Sequence, residues 1–195
     1  MTYADVFRPK VKPYTLLYDF LCIVGSTPFI ALTAQVAIPL PFSPVPITGQ
    51  TLAVLLTGVL LGSRRAGWCM FAYLVEGMAG LPVFAGGKAG IAHLLGPTGG
   101  YLLGFMPAAM LAGWLAEKGW DRRFGTALTA MFLGNVVIYL FGLPWLAYFV
   151  GAERVLVAGC LPFIPGDLIK ILLATAMLPA GWKLLKRFES NLRSC

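Results

Sequence analysis

Along its length the chain alternates long apolar runs with short breaks rich in glycine, proline and charge. Six runs approach the roughly 20 residues that a membrane-crossing helix needs: Leu16 to Ile38, Thr48 to Leu61, Ala66 to Val83, Tyr101 to Leu115, Phe124 to Val150 and Val155 to Leu185. The second and fourth are short, so tilt or interfacial residues must complete them. Arg8, Lys10 and Lys12 ahead of the first run resemble the start of a signal peptide, but the run is too long for one and no small-residue cleavage pattern closes it. The pattern predicts an all-α integral membrane protein, a compact bundle of six transmembrane helices with irregular outer loops. A single membrane domain occupies 1–195, with an arm at 1–15, the bundle at 16–185 and a tail at 186–195.

Composition agrees. Of the 195 residues 58% are hydrophobic and 12% charged, against roughly 25% charged in an ordinary soluble domain, and the mean hydropathy is +0.80. A water-soluble globule is excluded, and an aromatic content of 13% excludes disorder. The net charge of +7 lacks the basic stripe interleaved with aromatics that nucleic acid requires, so it reads as topology. With six spans, one side collects Arg8, Lys10, Lys12, Arg64, Arg65, Lys118, Arg122, Arg123, Lys183, Lys186, Arg187 and Arg193, twelve of the 15 cations. By the positive-inside rule that side, with both termini, faces the cytoplasm. The chain is thus expected as a multi-pass protein of the cytoplasmic (inner) membrane. Cys22, Cys69, Cys160 and Cys195 have no CxxC spacing, which argues against a disulfide framework or a zinc site; no metal or cofactor is expected.

Proline has the opposite asymmetry, with nine of 14 at or near the outer ends of the runs. Irregular backbone survives at membrane depth only where protein buries it or it lines a cavity, so the outer side is expected to hold a structured site, or else these prolines merely end helices. One outer segment, PLPFSPVPITGQ at 39–50, is extended and ends in Thr48, Gly49 and Gln50. A second, from Gly80 to Gly104, is glycine-rich and carries Lys88 and His93. The last run contains PFIPGDLIK: with Pro165 at the first helical position, Asp167 falls in the first turn and Lys170 one turn deeper on the same face. Intramembrane ionisable residues are functional candidates by default, the alternative being a pair that neutralises itself within one helix. Glu76 either snorkels outward or lines the same cavity, His93 is a proton carrier or a surface residue, and Lys88 attracts an anion or lies among headgroups. Thr33 and Ala37, four apart on the first run, form a small-xxx-small pair suited to close helix contact.

Two classes are disfavoured. Lys88 is followed by Ala89 and Pro82 stands where a P-loop needs its first glycine, so a nucleotide site is absent and any ATP must be bound by another chain. An aspartyl intramembrane protease needs two membrane aspartates and only Asp167 qualifies; a serine enzyme lacks both a GxSxG and a base in reach. The chain is therefore expected not to be an enzyme.

The segments PVPITGQTLAVLLTGVLLG, GLPVFAGG, GPTGGYLLGF and PFIPGDLIK, in that order between apolar spans, resemble the BioY family. BioY proteins are substrate-binding S components of biotin transporters of the energy-coupling factor (ECF) type. The resemblance implies high-affinity capture of biotin, with a transmembrane coupling protein and two ATPase subunits as partners. By motif position it implies polar ligand contacts from Asp167, Lys170 and Tyr101, closure by Gly86, Gly87, Gly99 and Gly100, and further contacts from Thr48 and Gln50. Biotin brings two ureido N–H donors, a carbonyl and a carboxylate. Asp167 suits the donors, Lys170 or Lys88 the carboxylate, and Tyr101, Phe84 or Trp145 the apolar ring body, with the direction of the ligand left open. The AxxxA pattern that the family uses to dock is broken, since Gln35 stands four after Ala31. A carrier or S component for another small vitamin or polar solute fits composition and span number equally; the motif set alone favours biotin.

Overall fold

A computed structural model describes residues 2–193, so Cys195 and the end of the expected tail lie outside the described residues. After α1 (Tyr3–Val6) come α2 (Tyr14–Gln35), strands β1 (Ala37–Leu40) and β2 (Ser43–Thr48), α3 (Gln50–Leu61) and α4 (Ser63–Met78). The chain continues through α5 (Ile91–Leu94), α6 (Gly99–Glu117), α7 (Phe124–Val150), α8 (Val155–Gly159) and α9 (Ile164–Arg193).

Helix α6 is the spine. Two thirds of its apolar window is buried, against 11% for α2. Small residues let neighbours approach its backbone: Gly104, Ala108, Ala109, Ala112, Gly113 and Ala116 are all buried. A Cβ at Gly58 of α3 would stand 2.5 Å from the Ala109 carbonyl oxygen, and one at Gly113 would stand 2.5 Å from the Ser63 nitrogen. Close van der Waals packing of this kind replaces the hydrophobic effect as the force between helices in lipid. Gly62, at φ +85°, reverses the chain between α3 and α4. There the freed Ser63 N–H donates to the Glu117 carboxylate of α6 at 2.8 Å.

Among the described residues four stretches are long and apolar enough to cross a membrane, namely Tyr14–Gln35, Gly99–Glu117, Phe124–Val150 and Val155–Leu185, while Gln50–Leu61 is apolar but shorter. The expected all-α bundle is corrected in detail. The first run leaves the helix after Gln35, and Ala37, read above as half of a helical pair with Thr33, begins β1 instead. Thr48 closes β2 and α3 starts at Gln50, so the second helix is shorter still. α4 stops at Met78 rather than running to Val83, because Gly80 takes φ +100°. The last run is divided: Cys160 leaves helical geometry at φ −130° and a turn separates α8 from α9. The fifth matches its expected bounds and the fourth extends two residues further at each end.

The hairpin pairs antiparallel with Ala37 opposite Thr48 and Ile38 opposite Ile47, its register slipping between Ile38 and Leu40 where Pro39 offers no N–H. Proline is tolerated because both strands of a two-stranded sheet are edges. Ser43 ties the hairpin to α8 by donating to the Ala158 carbonyl at 2.6 Å. α3, at about 18 Å, falls short of a bilayer core of about 30 Å; the hairpin immediately precedes it.

At the other end α1 is tucked against α9. The Tyr3 ring lies 4.5 Å from that of Trp182 and its hydroxyl donates to the Leu178 carbonyl. Trp182 donates in turn to Asp121, in the turn between α6 and α7. Arg65 of α4 binds both Asp5 (2.9 Å) and Asp19 (2.8 Å), and Arg8 binds Asp19.

The packing makes a contrast testable by thermal unfolding in detergent. Gly113→Val, which drives side chain into the α3–α4 backbone, should destabilise by at least the 1–3 kcal/mol or so typical of overpacking. Gly125→Ala, where a Cβ meets nothing within 4 Å, should be neutral or slightly stabilising.

Candidate functional site

A cavity lies where β2, the starts of α3, α6 and α9, the middle of α7 and the loop between α4 and α6 converge. Its polar centre is Asp167, only 5% exposed. Asp167 enters in the first turn of α9, its N–H bonded to the Phe163 carbonyl at 2.8 Å. Oδ1 accepts from Lys170 Nζ at 3.1 Å and, more distantly, from Thr51 Oγ1 at 3.5 Å. Oδ2 accepts from the Tyr139 hydroxyl. Lys170 also donates to Thr51 at 3.1 Å. The expected i,i+3 pair is therefore present, and its ion pair is extended by Thr51 on α3 and Tyr139 on α7 into a polar cluster spanning three helices.

Of the residues expected at the site, Asp167, Lys170, Tyr101, Thr48 and Gln50 all line this cavity. Tyr101 presents its ring alone: its hydroxyl donates to the Gly159 carbonyl at 2.8 Å, and the ring fills space that a Cβ on Gly142 would occupy, 2.4 Å from it. Gln50 is buried and donates to Tyr73, which donates onward to the Val83 carbonyl at 2.8 Å, so this amide also braces the loop. Thr48 accepts the Gln50 N–H at 3.3 Å at the first turn of α3.

The glycines and Lys88 are not in the lining. Gly99 and Gly100 allow helix packing: a Cβ on Gly99 would fall 1.7 Å from the Leu94 carbonyl oxygen and one on Gly100 2.3 Å from Trp145 Cβ. Gly86 and Gly87, at φ +66° and +72°, turn the loop back so that Phe84 N–H meets the Lys88 carbonyl at 3.0 Å, and they stand exposed with Lys88 outside. What that loop turns inward is Ala85 and His93. Phe84 packs fully buried on Gly77 and Tyr73, and Trp145 donates to the Gly96 carbonyl at 2.9 Å, so neither joins the lining. Glu76 accepts from Thr27 at 2.8 Å between α2 and α4, away from the cavity.

Sequence reasoning missed Thr51, Asn135, Tyr139, Thr98 and the apolar Phe105, Ile138 and Phe163. Thr51, Thr98, Phe105 and Phe163 lie inside the motifs singled out above, and Ile138 sits in an apolar run with no local signal; for Tyr139 and Asn135, polar groups deep in a 27-residue span, intramembrane polarity would have raised a flag. His93 rests against the Phe84 ring at 5.3 Å, with Nε2 3.3 Å from Thr98 Oγ1. Burial, and secondarily the charge of Lys88, hold its pKa below the ordinary 6.5.

Among the described residues no group of His, Cys, Asp and Glu is arranged to hold a metal ion, and Cys22, Cys69 and Cys160 are free thiols. A helical bundle with apolar outer faces and a half-open cavity, apolar and aromatic around a few convergent polar groups, defines a multi-pass membrane protein that binds a small solute. The chain belongs to the BioY family, whose sequence model matches residues 9–187. It is 43% identical over 153 residues to a probable biotin transporter BioY of Pyrococcus horikoshii, covering 78% of this chain and 89% of that one. It is 38% identical to the biotin transporter BioY of Rhizobium etli, covering 76% and 83%. Its fold is similar to the crystal structure of the S-component for biotin from an ECF-type ABC transporter, at 28% identity and a TM-score of 0.74 over 89% of this chain and 95% of that one.

The His93 environment gives a pH dependence. A folded pKa below the unfolded value means that acid protonates the unfolded chain first, so stability is complete above about 6.5 and falls as pH drops from there toward the depressed folded value. Thermal midpoints measured across that window should decline in the parent protein and decline less in His93→Gln.

Proposed function

We propose that this chain captures biotin at the outer face of the cytoplasmic membrane and passes it inward as the S component of an ECF-type transporter. The observation that carries the reading is the buried Asp167–Lys170–Thr51–Tyr139 cluster opening on an apolar, aromatic cavity. An apolar and aromatic lining around a few convergent polar groups suits a small bicyclic ligand. The relatives' names and the matching S-component support the choice of biotin.

The rest of the reading follows from topology. The six helices of twelve residues or more, α2, α3, α4, α6, α7 and α9, are taken as the six spans of one domain over 1–195. Twelve of the 15 cations then lie at the end away from the cavity, which becomes cytoplasmic together with the arm at 1–15 and the tail at 186–195. With no P-loop in the chain, transport energy comes from a transmembrane coupling protein and two ATPase subunits that dock on it. Ala85 and His93 roof the bound ligand while the loop around Gly86 and Gly87 supplies the turn that places them. Lys88, Gly99 and Gly100 act at one remove, through charge and packing.

Calorimetric titration of the purified protein in detergent with biotin, with thiamine and riboflavin as controls, should give tight binding of biotin alone; a folded sample that ignores biotin refutes the ligand. Asp167→Asn and Lys170→Ala should each cost about 1.5–3 kcal/mol of binding, the scale of a charge-assisted hydrogen bond. Backbone amides from Gly86 to Gly100 should exchange more slowly when biotin is bound. Equal protection with and without it would mean a preformed roof.

A further inference from the structure

The loop that turns Ala85 and His93 into the cavity is gripped from two helices. Three successive carbonyls, those of Pro82, Val83 and Phe84, lead into Ala85. The middle one accepts from the Tyr73 hydroxyl of α4 at 2.8 Å. The two that flank it accept from the side-chain amide of Gln35, the last residue of α2, at 3.4 Å each. A Gln Nε2 has two protons, and the Ala31 carbonyl of its own helix takes one at 3.0 Å, so the other bridges the two loop carbonyls.

The two grips differ in kind. Tyr73 is fully buried and its hydroxyl accepts in turn from Gln50, so letting go of Val83 would leave a phenol proton without a partner in the core. Gln35 is exposed, and its amide can exchange the loop carbonyls for water at little net cost. The helix that carries it is also the most loosely held of the long ones. Of its 22 residues only Thr27, Ile30 and Ala34 are buried. Pro28 lies inside it, seven residues before Gln35, and has no N–H to offer the Val24 carbonyl; helices bend where that bond is missing. The last two turns of α2 thus form a segment of about 10 Å beyond a weak point, with the Gln35 amide at its tip.

We propose that Gln35 is a positioning residue of the solute site, a latch by which the last two turns of α2 hold the loop shut over a bound ligand. The inference rests on the biotin reading above for the identity of that ligand. Gln35 does not line the cavity, so it acts only through the loop. With the amide engaged, Ala85 and His93 stay over the ligand. When the segment swings about Pro28 the Pro82 and Phe84 carbonyls are released, the loop keeps its buried grip on α4 alone, and the roof lifts. Such a latch governs how long a ligand stays and leaves its recognition to the cavity wall.

The test uses two replacements that keep the shape of Gln35 and delete its donor, Gln35→Met and Gln35→Glu. Release of labelled biotin into an excess of unlabelled biotin is timed in detergent, and hydrogen exchange of the loop is followed without ligand. Release should be roughly 2- to 12-fold faster than in the parent, the range set by one neutral hydrogen bond, with association no slower. Gln35→Glu, which sets a carboxylate against two carbonyls, should be the faster of the two. Amides from Val83 to His93 should exchange faster by a similar factor while those of α6 keep the parent rate. A residue that serves by bulk alone would leave both readouts at parent values in both variants, and that result overturns the latch. Faster release with unchanged loop exchange overturns it as well. A folded parent protein that does not bind biotin refutes the ligand, and exchange in the ligand-free protein then decides the latch by itself.

Discussion

The burial of one carboxylate governs the arrangement of this protein. Asp167 is 5% exposed within a mainly apolar bundle, and an isolated charge there would cost several kcal/mol after all relaxation. It is tolerated because donors arrive from three elements: Lys170 on its own helix, Thr51 on α3 and Tyr139 on α7. Satisfying it fixes the rotation of α3 and α7 relative to α9. The space those rotations leave, floored by the cluster and walled by Phe105, Ile138 and Phe163, is the cavity. The same demand explains why the irregular backbone is gathered here: the α8–α9 turn and the hairpin both cover a region where polar groups have partners.

A second constraint acts on the opposite side of the bundle. The seam of α6 with α3 and α4 is closed by glycine and alanine to within backbone contact, and at Gly58 and Gly113 not even a methyl group fits. Its rigidity contrasts with the cover over the cavity, made of a two-stranded hairpin of which the Ser43 hydroxyl holds one point and a loop braced by Gln50 through Tyr73. Hydrogen bonds through single side chains hold the cover, whereas interdigitated backbone holds the spine.

How much of this was legible in the sequence follows from range. Membrane depth, the approximate runs and the Asp167–Lys170 pair rest on composition and on spacings within a turn of helix, and these are readable from a string. The ends of the runs were misjudged where backbone geometry overruled hydropathy: Ile38 is as apolar in a strand as in a helix, and the stop at Met78 depends on the left-handed glycine that follows. Long-range partners were invisible. Nothing near Tyr139 or Asn135 in sequence indicates that α9 brings a carboxylate against α7, and nothing near Tyr101 discloses that the Gly159 carbonyl takes its hydroxyl. The glycines of the third motif, Gly99 and Gly100, show the same limit. Leu94 and Trp145, which pack against them, come from elsewhere in the chain and require their small size.

The length of α9 has a mechanical consequence. Asp167 and Trp182 are fifteen residues apart on the same helix, about 22 Å along its axis. Trp182 is the point at which Tyr3 and Asp121 grip that helix at the opposite face. A pivot of only about 5° there swings the carboxylate by roughly 2 Å over that arm, more than the whole distance range within which a hydrogen bond holds its strength. The position of that carboxylate at one surface is thereby geared to the tilt of a rod clamped at the other, with the gear ratio set by the length of the rod.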